Sequence, residues 1–187
     1  MIRALHRALD RRRQADGHYG WLFNPYTGDE MVAISCEASG LDPKTAGTVS
    51  IGAVRLTGER VLAHDSLVLC LRDESGETPD GGLPALLDFI GNRPLLGWRI
   101  DADRETIDRY LRPRLGFDLP NATLDMAYLY RREIRRERLC VPELRFETLA
   151  QHMGIPLASQ RSVLGNALAI ASMYVRLQQD ALAIQRC

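Results

Sequence analysis

Few residues of the 187-residue chain stand at spacings that could do chemistry. Ser35, Cys36 and Glu37 set a hydroxyl, a thiol and a carboxylate side by side. A hydroxyl or thiol nucleophile needs an adjacent base or a depressed pKa, and none of His6, His18, His64 and His152 is spaced to supply a base. These histidines are expected to be surface or structural. The cysteines, at 36, 70, 140 and 187, include no close pair, so neither a CxxC redox motif nor a zinc ribbon is present. Arg131, Arg132, Arg135, Arg136 and Arg138 form a basic run broken by Glu133 and Glu137. Such a run is either a solvated helix face laced with i, i+4 pairs or a phosphate-contacting surface, which needs several cations on one face. Trp98 offers a ring that either packs locally or stacks on a base.

The bulk composition narrows the partners. Lys and Arg together number 24, as do Asp and Glu, so no global basic field points at nucleic acid and any such surface is local. Lys44 is the only lysine. Apolar residues make up 45%, enough for a globular core. No apolar run reaches the roughly 18–20 residues of a membrane span, and MIRALHRALDRRR is basic without the apolar stretch of a signal peptide. With reduced thiols, these features suggest a cytoplasmic protein with no membrane partner.

The elements that must position these groups follow from periodicity. Residues 2–13 form a helix with Ile2, Leu5 and Leu9 in a stripe. An aromatic, turn-rich segment, HYGWLFNPYTGDE, precedes the first strand and is expected to pack its rings across the domain. Residues 1–28 are thus a lead-in to a domain over 29–187. Met31–Ser35, Thr48–Leu56 and Val61–Leu71 are strands, with a hairpin turn at Thr57-Gly58-Glu59. Residues 73–84 are a Gly- and Pro-rich loop. A short helix includes Leu86–Ile90, a fourth strand spans Pro94–Trp98, a helix spans Asp103–Leu115, and a fifth strand starts at Thr123. A helix over Phe146–Met153 is stopped by Gly154. The longest helix runs from Ser162 to about Ile184. Three adjoining strands followed by alternating helices and strands predict an α/β fold, a mixed sheet flanked by helices.

Three segments resemble, in order, the motifs of the DnaQ-like 3′–5′ exonucleases of the DEDDh type, the group of the DNA polymerase III epsilon subunit and RNase T. Ser35-Cys36-Glu37-Ala38-Ser39-Gly40-Leu41-Asp42-Pro43, followed by VSIGAV, is similar to the first motif, Asp-x-Glu-Thr-Thr-Gly-Leu-Asp-Pro. Leu96-Gly97-Trp98-Arg99-Ile100-Asp101-Ala102-Asp103 is similar to the second, Val-Gly-His-Asn followed by Phe-Asp. Arg161-Ser162-Val163-Leu164-Gly165-Asn166-Ala167 is similar to the third, in which a His precedes an Asp by five residues. The likeness spans about residues 20–178. It implies an RNase H-like fold with a five-stranded sheet and, in the family, hydrolysis of phosphodiesters with Mg²⁺ or Mn²⁺. It places Ser39, Gly40, Leu41, Trp98 and Arg99 where nucleic acid would be bound.

The same alignment implies that most of the catalytic set is replaced. Glu37 and Asp103 match family acids. Ser35, Arg161 and Asn166 stand where the family has Asp, His and Asp. Residues i and i+2 of a strand share a face, so two carboxylates there can hold metals beside a phosphodiester. The family's two metals, about 4 Å apart, stabilise attacking and leaving oxygens. With two carboxylates left, a single weakly held Mg²⁺ or Mn²⁺ at Glu37 and Asp103 is the most this set implies. Arginine stays protonated and cannot act as a base, and loss of general-base help typically costs about 10²–10⁴-fold in rate. Arg161 could instead pair with Glu37 or Asp103, hold a phosphate, or face solvent. The expectation is a catalytically impaired exonuclease homologue that binds single-stranded nucleic acid, a nucleotide or a protein partner. Its alternatives are an active metal-dependent exonuclease with a reworked site and a protein-interaction module without nucleic-acid binding.

Overall fold

In the computed structural model, residues 2–38, 47–72, 82–137, 145–157 and 162–185 are described. The chain opens with helix α1 (Ile2–Arg13) and a 3-10 turn at Gly20–Phe23. Strands β1 (Met31–Ala38), β2 (Thr48–Leu56) and β3 (Val61–Arg72) form an antiparallel meander. Helix α2 (Gly82–Ile90) leads to strand β4 (Leu95–Gly97), helix α3 (Ile100–Leu115) and strand β5 (Thr123–Asp125). Helices α4 (Met126–Glu137), α5 (Phe146–His152) and α6 (Val163–Gln185) follow. The strands lie in the order β3-β2-β1-β4-β5, with β1, β4 and β5 mutually parallel. This is the five-stranded mixed sheet flanked by helices that the sequence predicts.

Strand alternation sorts the core into two layers. Val32 and Ile34 of β1, with Val49, Ile51 and Ala53 of β2, pack against α2, α3 and the 3-10 turn. Met31 and Ala33, with Val54 and Leu56, pack against α4, α5 and α6. The aromatic lead-in joins the first layer: Leu22 and Phe23 are buried, and the Tyr19 and Phe23 rings meet Phe117.

Several boundaries move from their expected places, for local reasons. β1 runs three residues past Ser35, because β2 pairs with it through Ala38↔Val49. α2 starts at Gly82, inside the expected loop; Pro84 in its first turn loses no intrahelical hydrogen bond. α3 starts at Ile100 rather than Asp103, since a left-handed Arg99 turns the chain directly into the helix. β4 is confined to Leu95–Gly97. Ser162 stands just outside α6 and caps it, its Oγ accepting the Gly165 N–H at 3.0 Å. Gly154, at φ +65°, follows α5 as expected.

Candidate nucleic-acid site at the carboxyl end of the sheet

The site is assembled where β1, β4 and α6 meet. β1 carries Ser35 and Glu37 on the face toward α6, alternating with Val32, Ile34 and Cys36 on the other. Ser35 is 8% exposed and stands opposite Gly52 of β2. A Cβ at Gly52 would fall 2.3 Å from the carbonyl carbon of Val163 and 2.4 Å from the Leu164 nitrogen. The first turn of α6 therefore lies directly on β2 at Gly52, next to Ser35, and only glycine permits that approach. From the same turn, Asn166 Nδ2 donates to Glu37 Oε1 at 3.3 Å. Residues 129 apart in sequence thus share one contact.

Asp103 arrives from the other side of β1. β4 pairs only with Val32 and Ala33, so among the described residues no strand continues along that edge beyond Ala33. The Asp103 carboxyl occupies this edge and accepts the backbone N–H of Cys36. Burial pushes its pKa up from 3.8 to about 7, a rise that the Cys36 hydrogen bond lessens. Burial also raises the Cys36 thiol well above its ordinary value, with the nearby Asp103 charge adding to it. Burial thus favours the protonated form of the Cys36 thiol.

The turn between β4 and α3 is tightly determined. Gly97 packs against Ile100, whose Cδ1 a Cβ would meet at 2.5 Å. Arg99, at φ 54° and ψ 48°, is the only non-glycine with positive φ among the described residues. Its backbone N–H donates to Asp125 Oδ1 at 3.2 Å. Trp98 is half-buried and meets the Phe146 ring edge-on at 5.6 Å, so it serves as packing in this structure. Asp125 was not picked out from the sequence. Asp125 caps α4 from the residue just before it, but its bond to Arg99 is visible only in three dimensions.

The structure thus brings Glu37 and Asn166 into contact near Ser35, and sets the Asp103 carboxyl at the Cys36 N–H, on the edge of β1 away from β2. Ser39, Gly40, Leu41 and Arg161 lie outside the described residues. These donors do not fit a paired metal centre. Ser35 and Asn166 bring no charge, and Asn166 presents its amide N–H to Glu37. Among the described residues no three His, Cys, Asp or Glu side chains gather where a cation could sit.

No family model and no curated protein matches the sequence. Among solved structures, the chain is similar to exonuclease I, in a crystal structure with the inhibitor BCBP, at a TM-score of 0.53 and 16% identity. The match covers 84% of this chain and 44% of that one. The fold is RNase H-like. At this identity the likeness carries the architecture and not the activity. This chain spans less than half of the exonuclease I chain. The contact between α6 and the end of β1 brings the segments around Asn166 and Glu37 together. No described helix is long and apolar enough to cross a membrane.

Proposed function

We propose that this RNase H-like chain is a catalytically impaired exonuclease homologue that binds single-stranded nucleic acid or a nucleotide at the carboxyl end of β1. The observation that carries this reading is the Asn166–Glu37 hydrogen bond beside the buried Ser35. Where two further carboxylates would serve a metal pair, an amide and a hydroxyl stand instead. A site of this kind no longer needs divalent cations to offset clustered negative charge. The proposed binding cleft is the space at the carboxyl end of β1, and in this reading it lacks the groups with which the family activates water.

The test has two arms. Pure protein is incubated with a labelled single strand in Mg²⁺ or Mn²⁺, and binding of the strand and of a mononucleotide is measured over a range of salt. The expected result is binding that weakens as salt rises, with no shortening of the strand. Shortening that Glu37→Ala abolishes would replace this reading with an active enzyme. Absence of salt-dependent binding would leave a protein-interaction module. The triple variant Ser35→Asp, Arg161→His, Asn166→Asp is expected to gain Mn²⁺ affinity, read by calorimetry, and each single reversion much less, since such groups act as a unit.

A further inference from the structure

β1, β4 and β5 are parallel neighbours, so their last residues, Ala38, Gly97 and Asp125, stand toward the same end of the sheet, with Glu37 just before the end of β1. Ligands of open α/β sheets bind outside such carboxyl ends. Helix α4 leaves this end directly after Asp125. One oxygen, Asp125 Oδ1, accepts the backbone N–H groups of Arg99 at 3.2 Å, Ala127 at 2.8 Å and Tyr128 at 3.4 Å. It therefore ties the end of β4 to the first turn of α4 and holds the exposed Arg99 beside it. The left-handed backbone of Arg99 is disfavoured for a residue with a Cβ, and the Asp125 bond helps to maintain it.

α4 has two distinct faces. Met126, Ala127 and Tyr130 are buried against the second core layer. Tyr128, Arg131 and Arg132 stand at i, i+3 and i+4, share the outward face and are exposed. Tyr128, at 64%, is the most exposed of the large hydrophobic side chains among the described residues. An aromatic ring flanked by guanidiniums suits a single-stranded nucleic acid, whose unpaired bases offer flat faces and whose phosphates offer charge. A duplex hides its base faces, and an acidic peptide answers the arginines but not the ring.

We propose that Arg99 and the outward face of α4 form a track for single-stranded nucleic acid, in which Tyr128 stacks on a base and Arg99, Arg131 and Arg132 hold phosphates. The track extends the cleft reading along the same end of the sheet and rests on it for the strand's entry point. It uses none of the motif acids.

Fluorescence anisotropy on the full chain tests it with two probes: 5′-deoxyadenylate, which can fill the cleft alone, and a labelled thymidine oligonucleotide of about ten nucleotides, within the span that single-strand-binding grooves cover. Tyr128→Ala is expected to weaken oligonucleotide binding about tenfold, as loss of one stacked base does, and Tyr128→Phe to retain it. Arg131→Gln with Arg132→Gln is expected to lower the salt slope by about 1.4, two phosphate contacts at roughly 0.7 each. Mononucleotide affinity should be the same in all variants. All four side chains are exposed, and a melting curve for each variant verifies the fold. Oligonucleotide binding equal in wild type and variants overturns the track and leaves the cleft reading standing. Binding that depends on Tyr128 and the arginines, without binding of the mononucleotide, supports the track and removes the cleft reading. A wild type that binds neither probe overturns both.

Discussion

Asp103 shows how one side chain records what its surroundings lack. An unfolded Asp titrates near 3.8, whereas burial holds the folded carboxyl to about 7. Between those values the folded state binds the proton and the unfolded state does not. The stability due to the protonated form is therefore complete below about pH 4 and is lost as pH rises through 7. A separation of about three pKa units sets this loss on the order of 2–4 kcal/mol at pH 8. Asp103→Asn keeps an oxygen for the Cys36 N–H and removes the charge. Chemical denaturation at pH 5 and pH 8 should show the wild type losing stability across this interval through Asp103, and the variant losing less, with its gain largest at pH 8. A variant no more stable than wild type at pH 8 would mean that water or a neighbouring cation solvates this carboxylate.

At the scale of elements, the position of α6 depends on one glycine. The VSIGAV run marks Gly52 within a strand, and an interior strand glycine signals either a bulge or a close backbone approach. The structure selects the approach, since the Val163 and Leu164 backbones lie where a Cβ would be. Gly52→Ala must push α6 from β2, and overpacking of this kind costs roughly 1–3 kcal/mol. The same shift would separate Asn166 from Glu37. Urea denaturation should show the loss, and hydrogen exchange should show reduced protection concentrated in the first turns of α6. A variant with wild-type stability would show that α6 can shift without cost. Arg55 performs a similar task elsewhere, bonding Asp65 of β3 at 2.8 Å and the Phe89 carbonyl of α2 at 3.0 Å. This pins α2 to the meander.

Across the whole molecule, the amino-terminal helix is tied to the domain by a buried acid. Asp10 is 3% exposed, and its Oδ2 accepts Arg112 Nη2 at 2.8 Å and the Asp118 N–H at 3.4 Å. Arg112 also binds Asp118 at 2.6 Å, and Gln14 Nε2 donates to the Leu115 carbonyl. α1 is thereby fixed to the end of α3. Asp10→Ala leaves a part-buried N–H and part of a guanidinium without their acceptor, which costs about 1 kcal/mol. A fall in melting temperature is the expected result. An unchanged melting temperature would show that Arg112 and Asp118 hold the α3 end without Asp10.

The sequence by itself determined most of the elements and their class, though the extent of α4 was not read from it. Alternating and helical periodicities are local, so β2, the starts of β1 and β3, and most of α6 were legible from a few consecutive residues. The order of three motif-like segments pointed to an RNase H-like sheet, and the resemblance set Ser35, Arg161 and Asn166 where the family has Asp, His and Asp. Boundaries set by pairing or turns were not legible, such as the end of β1 and the start of α3. Only the tertiary structure decided that Asn166 donates to Glu37, that Asp103 meets the Cys36 backbone on the edge of β1 away from β2, and that Asp10 lies buried under Arg112. Nor could the sequence show that one Asp125 oxygen joins Arg99 to Tyr128. These contacts join residues far apart in the chain. Their geometry and desolvation depend on how layers pack, which no local pattern of residue types encodes.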